Sequence, residues 1–112
     1  MNPWEQISTD LDGKAAGDQS GNSVSISGDG TIVAVGAYGN DDNGENSGHT
    51  RIYKYSSGSW NQLGKDIDGE AAEDYSGRSI SLSADGTIVA IGAIGNDDNG
   101  ENSGHTRIYK YS

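Results

Sequence analysis

Clusters of side-chain oxygen atoms are the feature of this sequence best suited to chemistry. Residues 40–46 read Asn-Asp-Asp-Asn-Gly-Glu-Asn, and residues 96–102 repeat them unchanged. Closely spaced carboxylate and amide oxygens are the ligands that Ca²⁺ prefers, with about six to eight around each ion. The candidate metal ligands of the two copies are Asp41, Asp42, Asn43, Glu45, Asp97, Asp98, Asn99 and Glu101.

A solvated acidic turn is the alternative for these two segments, and we favour it. When Gly44 takes the sixth position of an EF-hand loop, Gly39 falls at the first ligand position and Thr50 at the twelfth, so the motif fails. Asn43-Gly44 is also a common turn pair, because both residues tolerate left-handed backbone angles. We therefore predict no cofactor, with calcium as the alternative.

Paired aspartates form a second candidate metal site, which also occurs twice. The carboxylates are Asp10 and Asp12 in one copy and Asp66 and Asp68 in the other, with Asp18 and Asp74 further along. Two carboxylates two residues apart could share a cation. The favoured alternative is that the aliphatic residue between them anchors the chain while the aspartates face water.

His49 and His105 occupy equivalent places in the two copies, and they are the histidines of the sequence. One histidine per copy, with no second histidine near it, makes a poor zinc site. A surface or hydrogen-bonding role is therefore favoured. A site shared between chains stays open, because several chains arranged around one symmetry axis could bring their histidines together.

No convincing catalytic set emerges from these residues. The aspartates lie in polar segments, where nothing would shift their pKa values towards catalysis. We predict that the protein is not an enzyme. The less favoured alternative is a glycan hydrolase whose catalytic groups come together only when several chains assemble into a ring.

The elements that must position these residues are β-hairpins. Residues 23–27 alternate serine with Val24 and Ile26, which puts the two apolar side chains on one face of a strand. Residues 32–35 form a short apolar run, as in a strand buried on both faces. Asp29-Gly30 between them is a tight-turn pair. The pattern predicts an antiparallel hairpin.

The whole chain is a tandem repeat with a shift of 56 residues. Residues 39–56 and 95–112 are identical, and where the copies differ inside the apolar pattern, one aliphatic residue usually replaces another. Each copy is expected to contribute four strands, over residues 4–7, 20–27, 31–37 and 49–55 in the first. A repeat of this length with four strands predicts an all-β protein built from two four-stranded antiparallel β-propeller blades. The predicted units are residues 1–56 and 57–112.

Four segments of each copy resemble the FG-GAP repeat, the blade unit of integrin α-chain propellers and of many bacterial surface proteins. In the first copy they are Ser20-Gly-Asn-Ser-Val-Ser-Ile-Ser, Gly28-Asp-Gly, Ile32-Val-Ala-Val-Gly-Ala and Gly48-His-Thr-Arg-Ile-Tyr-Lys-Tyr. The resemblance implies a binding module, at the cell surface or outside the cell, with calcium-dependent adhesion or ligand binding as the alternative to a structural scaffold. Two departures are a Ser-Gly in place of Phe-Gly and a shortened loop between the hairpin strands.

Two blades cannot close a circle, so we expect a cyclic homo-oligomer. The strand over residues 4–7 would complete the last blade of a neighbouring chain. Propellers usually have about four to eight blades, which gives a trimer of six or a tetramer of eight, and we favour the tetramer. The near-identity of the copies also suggests a fragment of a longer repeat protein or an engineered sequence.

Composition narrows the partners further. The formal net charge of −10 argues against nucleic acid and anionic membranes as partners, and no run is long enough to insert into a bilayer. With no cysteine, disulfides and thiolate sites are excluded. The small number of large aliphatic residues leaves one chain with little core, which also favours oligomerisation.

Overall fold

The computed structural model describes residues 3–112, which contain eight strands and no helix. The strands are β1 (Ser23–Ile26), β2 (Ile32–Ala37), β3 (His49–Ser56), β4 (Ser59–Gln62), β5 (Ile67–Asp68), β6 (Ser76–Leu82), β7 (Ile88–Ala93) and β8 (His105–Lys110). The predicted all-β class is confirmed. No helix able to cross a bilayer occurs in the described part of the chain.

Two antiparallel sheets divide the strands between them. The first has the order β1-β2-β3-β4, and the short strand β5 also pairs with β3. The second has the order β6-β7-β8. The first sheet thus has five strands, and the second has three within residues 3–112. Four strands in each blade stay a prediction.

The hairpin β1–β2 confirms the predicted turn and shows what holds it. Gly30 takes a φ of 78°, which is the left-handed region that favours glycine. The Asp29 Oδ1 atom accepts hydrogen bonds from the Thr31 amide at 3.0 Å, the Thr31 hydroxyl at 2.8 Å and the Ser27 hydroxyl at 2.9 Å. These bonds lower the pKa of Asp29, and the two bonds from Thr31 have the largest effect. Asp85 forms the same turn in the second hairpin.

The hydrophobic core lies between the two sheets. Its centre is Ala34 of β2 with Val89 and Ile91 of β7, all buried. The partly buried residues packed against this centre are Ile52, Ile67, Ile80, Leu82 and Tyr109. The apolar runs of β2 and β7 are therefore the inner strands of two packed sheets, as their sequence indicates.

The sheets approach each other closely along β1, β2 and β6. The Ser23 hydroxyl donates to the Gly77 carbonyl at 2.6 Å, and the Leu82 amide donates to the Ser25 hydroxyl at 3.0 Å. A Cβ atom added to Gly36 would overlap the Gly77 carbonyl oxygen. Glycine at position 36 is what allows the two backbones to come this near.

Residues 4–7, for which a strand was predicted, form no strand in the single chain. Their addition to a blade of a neighbouring chain stays a prediction. Their counterparts in the second copy do contribute to a strand. Trp60 lies in β4, which pairs with β3 so that Trp60 faces Tyr55 across the ladder. A strand exists only where a neighbouring strand accepts its backbone hydrogen bonds. In the described chain, β3 provides that edge to β4.

Candidate functional site

Four side chains with metal-ligating atoms converge where the acidic loop, residues 40–46, meets the connector between the two repeats, residues 63–75. They are Asp42, His49, Asp66 and Asp68, and one ligand atom of each lies within 4.8 Å of the others. His49 is the first residue of β3, and β5 pairs with it so that Asp68 stands opposite His49. We call this group the inter-repeat cluster.

His49 is the buried member of the inter-repeat cluster. It is 2% exposed, and its Nδ1 atom has no hydrogen-bond partner. Nδ1 lies 3.7 Å from Asp66 Oδ2 and 4.0 Å from Asp42 Oδ2, beyond hydrogen-bonding distance. Burial lowers the pKa of His49, and the carboxylate of Asp66 opposes that effect only in part. The imidazole is therefore neutral at neutral pH.

Two cations balance part of the negative charge in the inter-repeat cluster. Arg51 donates from Nε to Asp66 Oδ1 at 2.9 Å, and Gln62 donates to the same oxygen at 2.6 Å. Burial raises the pKa of Asp66, but the hydrogen bonds from Arg51 and Gln62, together with the positive charge of Arg51, outweigh it, so the net pKa lies below its usual value. Lys14 donates to Asp42 Oδ2 at 2.5 Å. Three carboxylates thus face two cations.

The second copy forms a different group from the equivalent strand and loop. It consists of Glu70, Asp98 and His105, and His105 Nδ1 lies 4.0 Å from Asp98 Oδ2. Glu70 occupies the repeat position of Lys14, so the charge there is reversed. Arg107, the counterpart of Arg51, pairs with Glu70. Asp10 and Asp12, the counterparts of Asp66 and Asp68, do not belong to this group.

The structure brings together residues that the sequence placed in three separate candidates. Of the eight predicted ligands, Asp42 and Asp98 belong to the groups just described. Asp41 and Asp97 instead accept hydrogen bonds from the amides of Asn46 and Asn102, at 2.9 and 2.8 Å, which closes the turn.

The other predicted ligands lie elsewhere on the loop surface. Asn43 donates from Nδ2 to the Gly69 carbonyl at 2.8 Å, a contact from one repeat to the next. Glu45, Asn99 and Glu101 are exposed. A calcium site in the loop of either copy stays a prediction.

A buried Asp–Asn pair holds the acidic loop in each copy. Asn40 donates from Nδ2 to Asp18 Oδ2 at 2.9 Å, and Asn96 does the same to Asp74. All four side chains are buried. Asn40 also accepts the amide of Asp42 through Oδ1, at 2.9 Å, which positions Asp42 for the cluster. The sequence offers one sign of these pairs, because the aspartate and the asparagine lie 22 residues apart in both copies. The interpretation of the connector aspartates as facing water is therefore wrong for Asp18 and Asp74.

Comparison with known proteins agrees with this architecture. The family model described as FG-GAP repeat matches residues 6–53 and 66–109. A search of curated proteins finds no significant match. The antiparallel all-β structure and the two repeats fit a β-propeller-type fold, and FG-GAP repeats are typical of propeller-forming binding or structural modules that are generally non-catalytic. The chain belongs to the FG-GAP repeat family.

Proposed function

We propose that the protein is a non-catalytic scaffold that assembles head to tail into a closed ring of propeller blades. The observation that carries this proposal is a difference between equivalent side chains. Every large hydrophobic residue that is exposed in the described chain has a counterpart 56 residues away that is at least partly buried. The exposed residues are Trp4, Ile7, Val24, Ile26, Ile88, Ile94, Ile108 and Tyr111.

The exposed residues form two open faces that match the two sides of the interface within the chain. Ile80 and Leu82 of the second sheet pack against the core shared with the first, while their counterparts Val24 and Ile26 are exposed. On the other side, Ile52 packs against the same core, while Ile108 is 70% exposed. An open Ile108 face and an open Val24 face are complementary, because their counterparts Ile52 and Ile80 pack against the same core.

Polar contacts at the interface within the chain supply a template for the junction between chains. Ser79 is the counterpart of Ser23 and would donate to Gly21 of the next chain, as Ser23 donates to Gly77. Arg107 would exchange Glu70 for Asp10 of the next chain, the counterpart of Asp66. The proposed junction therefore reuses hydrogen bonds that one chain already makes.

Strand pairing completes the proposed junction. Trp60 packs edge-on against Tyr55, with ring centroids 5.2 Å apart. In the ring, residues 4–7 of the next chain would add to β8 as β4 adds to β3, which brings Trp4 onto Tyr111. The second sheet would thereby gain a fourth strand, and its edge would no longer be exposed to other chains.

Such head-to-tail contacts are heterologous, so they end only when the rotation closes. With two blades per chain, the usual range of about four to eight blades permits a trimer or a tetramer among others. We favour a tetramer of eight blades over a trimer of six. Native mass spectrometry with light scattering tests this proposal. One closed species of three or four chains is expected, whereas a monodisperse folded monomer contradicts self-assembly.

A further inference from the structure

We propose that the inter-repeat cluster binds one divalent transition-metal ion through Asp42, His49, Asp66 and Asp68. Zn²⁺ is the probe that suits it. The ion would join the loop of the first repeat to the connector of the second. This site lies within one chain, so it does not depend on ring closure.

The spacing of the ligand atoms fits a single ion. Zn²⁺ binds nitrogen and oxygen ligands at about 2.0–2.2 Å, so ligand atoms around one ion lie up to about 4 Å apart. The four candidate atoms lie within 4.8 Å of one another before any adjustment. Asp42 and Asp68 are exposed, and they give an ion access from solvent.

His49 supplies an observation independent of the acidic residues. Its Nδ1 atom is buried, has no hydrogen-bond partner and faces the carboxylates of Asp42 and Asp66. Buried polar side-chain atoms in folded proteins nearly always have a partner. A metal ion between Nδ1 and the two carboxylates would provide that partner.

The donor set also indicates which metals the site would take. One imidazole nitrogen with carboxylate oxygens suits Zn²⁺ and neighbouring transition metals, whereas Ca²⁺ and Mg²⁺ prefer oxygen ligands alone. A buried imidazole is thus expected to select for Zn²⁺ over Ca²⁺.

The side chain of Lys14 would compete with a metal ion for Asp42. Its ammonium group lies 2.5 Å from Asp42 Oδ2 and is partly exposed, so an arriving ion must displace it. Asp66 can keep the 2.9 Å bond from Arg51 Nε through Oδ1. Its Oδ2 atom, the oxygen nearest to His49, also accepts a longer bond of 3.3 Å from Arg51 Nη2. Removing the Lys14 charge should therefore strengthen metal binding.

The experiment is a calorimetric titration of the full chain with Zn²⁺, supported by the visible spectrum of bound Co²⁺. It uses a His105→Gln background, which removes the imidazole of the second group. One ion per chain is expected. Adding His49→Gln should weaken binding by at least about tenfold, since it removes a direct ligand. Lys14→Gln should strengthen binding.

Asp68→Asn provides a second test, because Asp68 is exposed and its loss should leave the fold intact. It should also weaken Zn²⁺ binding, and circular dichroism of each metal-free variant checks folding. The inference is overturned if Zn²⁺ does not bind saturably, or if both His49→Gln and Asp68→Asn bind it as tightly as the parent. Native mass spectrometry of the same samples reports ring formation separately, so either proposal can fail alone.

Discussion

The two copies of residues 39–56 and 95–112 have the same sequence but different surroundings. The side chain of His49 is 3% exposed and that of His105 is 24% exposed. Thr50 is buried, whereas Thr106 is exposed. Because the local sequence is the same, the difference comes from what packs against each copy. The first copy is covered by the second, and the second has no cover in the described chain.

This comparison shows that the blade is not a self-sufficient unit. Full burial of an isoleucine side chain is worth about 1.5–3 kcal/mol, so the partial burial of Ile52 contributes part of that amount to the stability of a small domain. Ile108 lacks that contribution. The following predictions exploit pairs of equivalent positions to test whether a neighbouring chain provides it.

The largest effect is expected for Ile52→Asp compared with Ile108→Asp. A carboxylate at position 52 would enter the core between the sheets and should cost about 3 kcal/mol or more, measured by urea unfolding. At position 108 the same change should keep the strands of the single chain and abolish the oligomer, measured by circular dichroism and light scattering. An unchanged oligomer in Ile108→Asp would exclude this face from the junction.

The next effect is expected for Gly36→Ala compared with Gly92→Ala. The added methyl group at position 36 overlaps the backbone carbonyl of Gly77, so the two sheets must move apart. This should lower the free energy of unfolding by about 1–3 kcal/mol. At position 92 the nearest atoms all belong to Ser79, whose hydroxyl can rotate away. Chain stability should therefore fall in Gly36→Ala, and ring assembly in Gly92→Ala. Equal loss of chain stability in both variants would contradict the comparison.

A smaller effect is expected from the turn aspartates. The pKa values of Asp29 and Asp85 are lowered by hydrogen bonds that the folded chain makes to the ionised carboxylates. The unfolded chain binds protons more readily, so this stabilisation is present above the unfolded pKa, near 3.9, and is lost as the pH falls through the lower folded pKa values.

The double variant Asp29→Asn/Asp85→Asn isolates this contribution. It should be less stable than the parent at pH 7, and the difference should shrink below pH 3.9. Urea unfolding of the parent and the variant, at pH 7 and again below pH 3.9, measures this difference in stability. A difference that is the same at both would mean that the carboxylate charge is not involved.

The smallest effect is expected from calcium. The acidic loop is closed by its own backbone and side-chain hydrogen bonds, so adding Ca²⁺ or a calcium chelator should leave the midpoint of thermal unfolding nearly unchanged. A large upward shift with Ca²⁺ would favour the calcium-dependent adhesion alternative, because a ligand stabilises the state that binds it.

The elements specified by local chemistry could be predicted from the sequence alone. The two-residue alternation at Val24 and Ile26, the Asp29-Gly30 turn and the apolar run of β2 each act over a few residues, and they predicted the first hairpin. The repeat shift then extended that prediction to β6 and β7. Residues 4–7 form no strand in the single chain, because a strand also needs a partner edge that no local pattern reveals.

The candidate site shows the same division more sharply. The sequence identified Asp42, Asp66, Asp68 and His49 individually, as parts of separate candidates. Only the tertiary structure joined them, because the pairing of β5 with β3 carries the connector of one repeat onto the loop of the other. It also decided burial. His49 and His105 share their neighbours in sequence, and the packing of a second blade on one of them alone sets their environments apart.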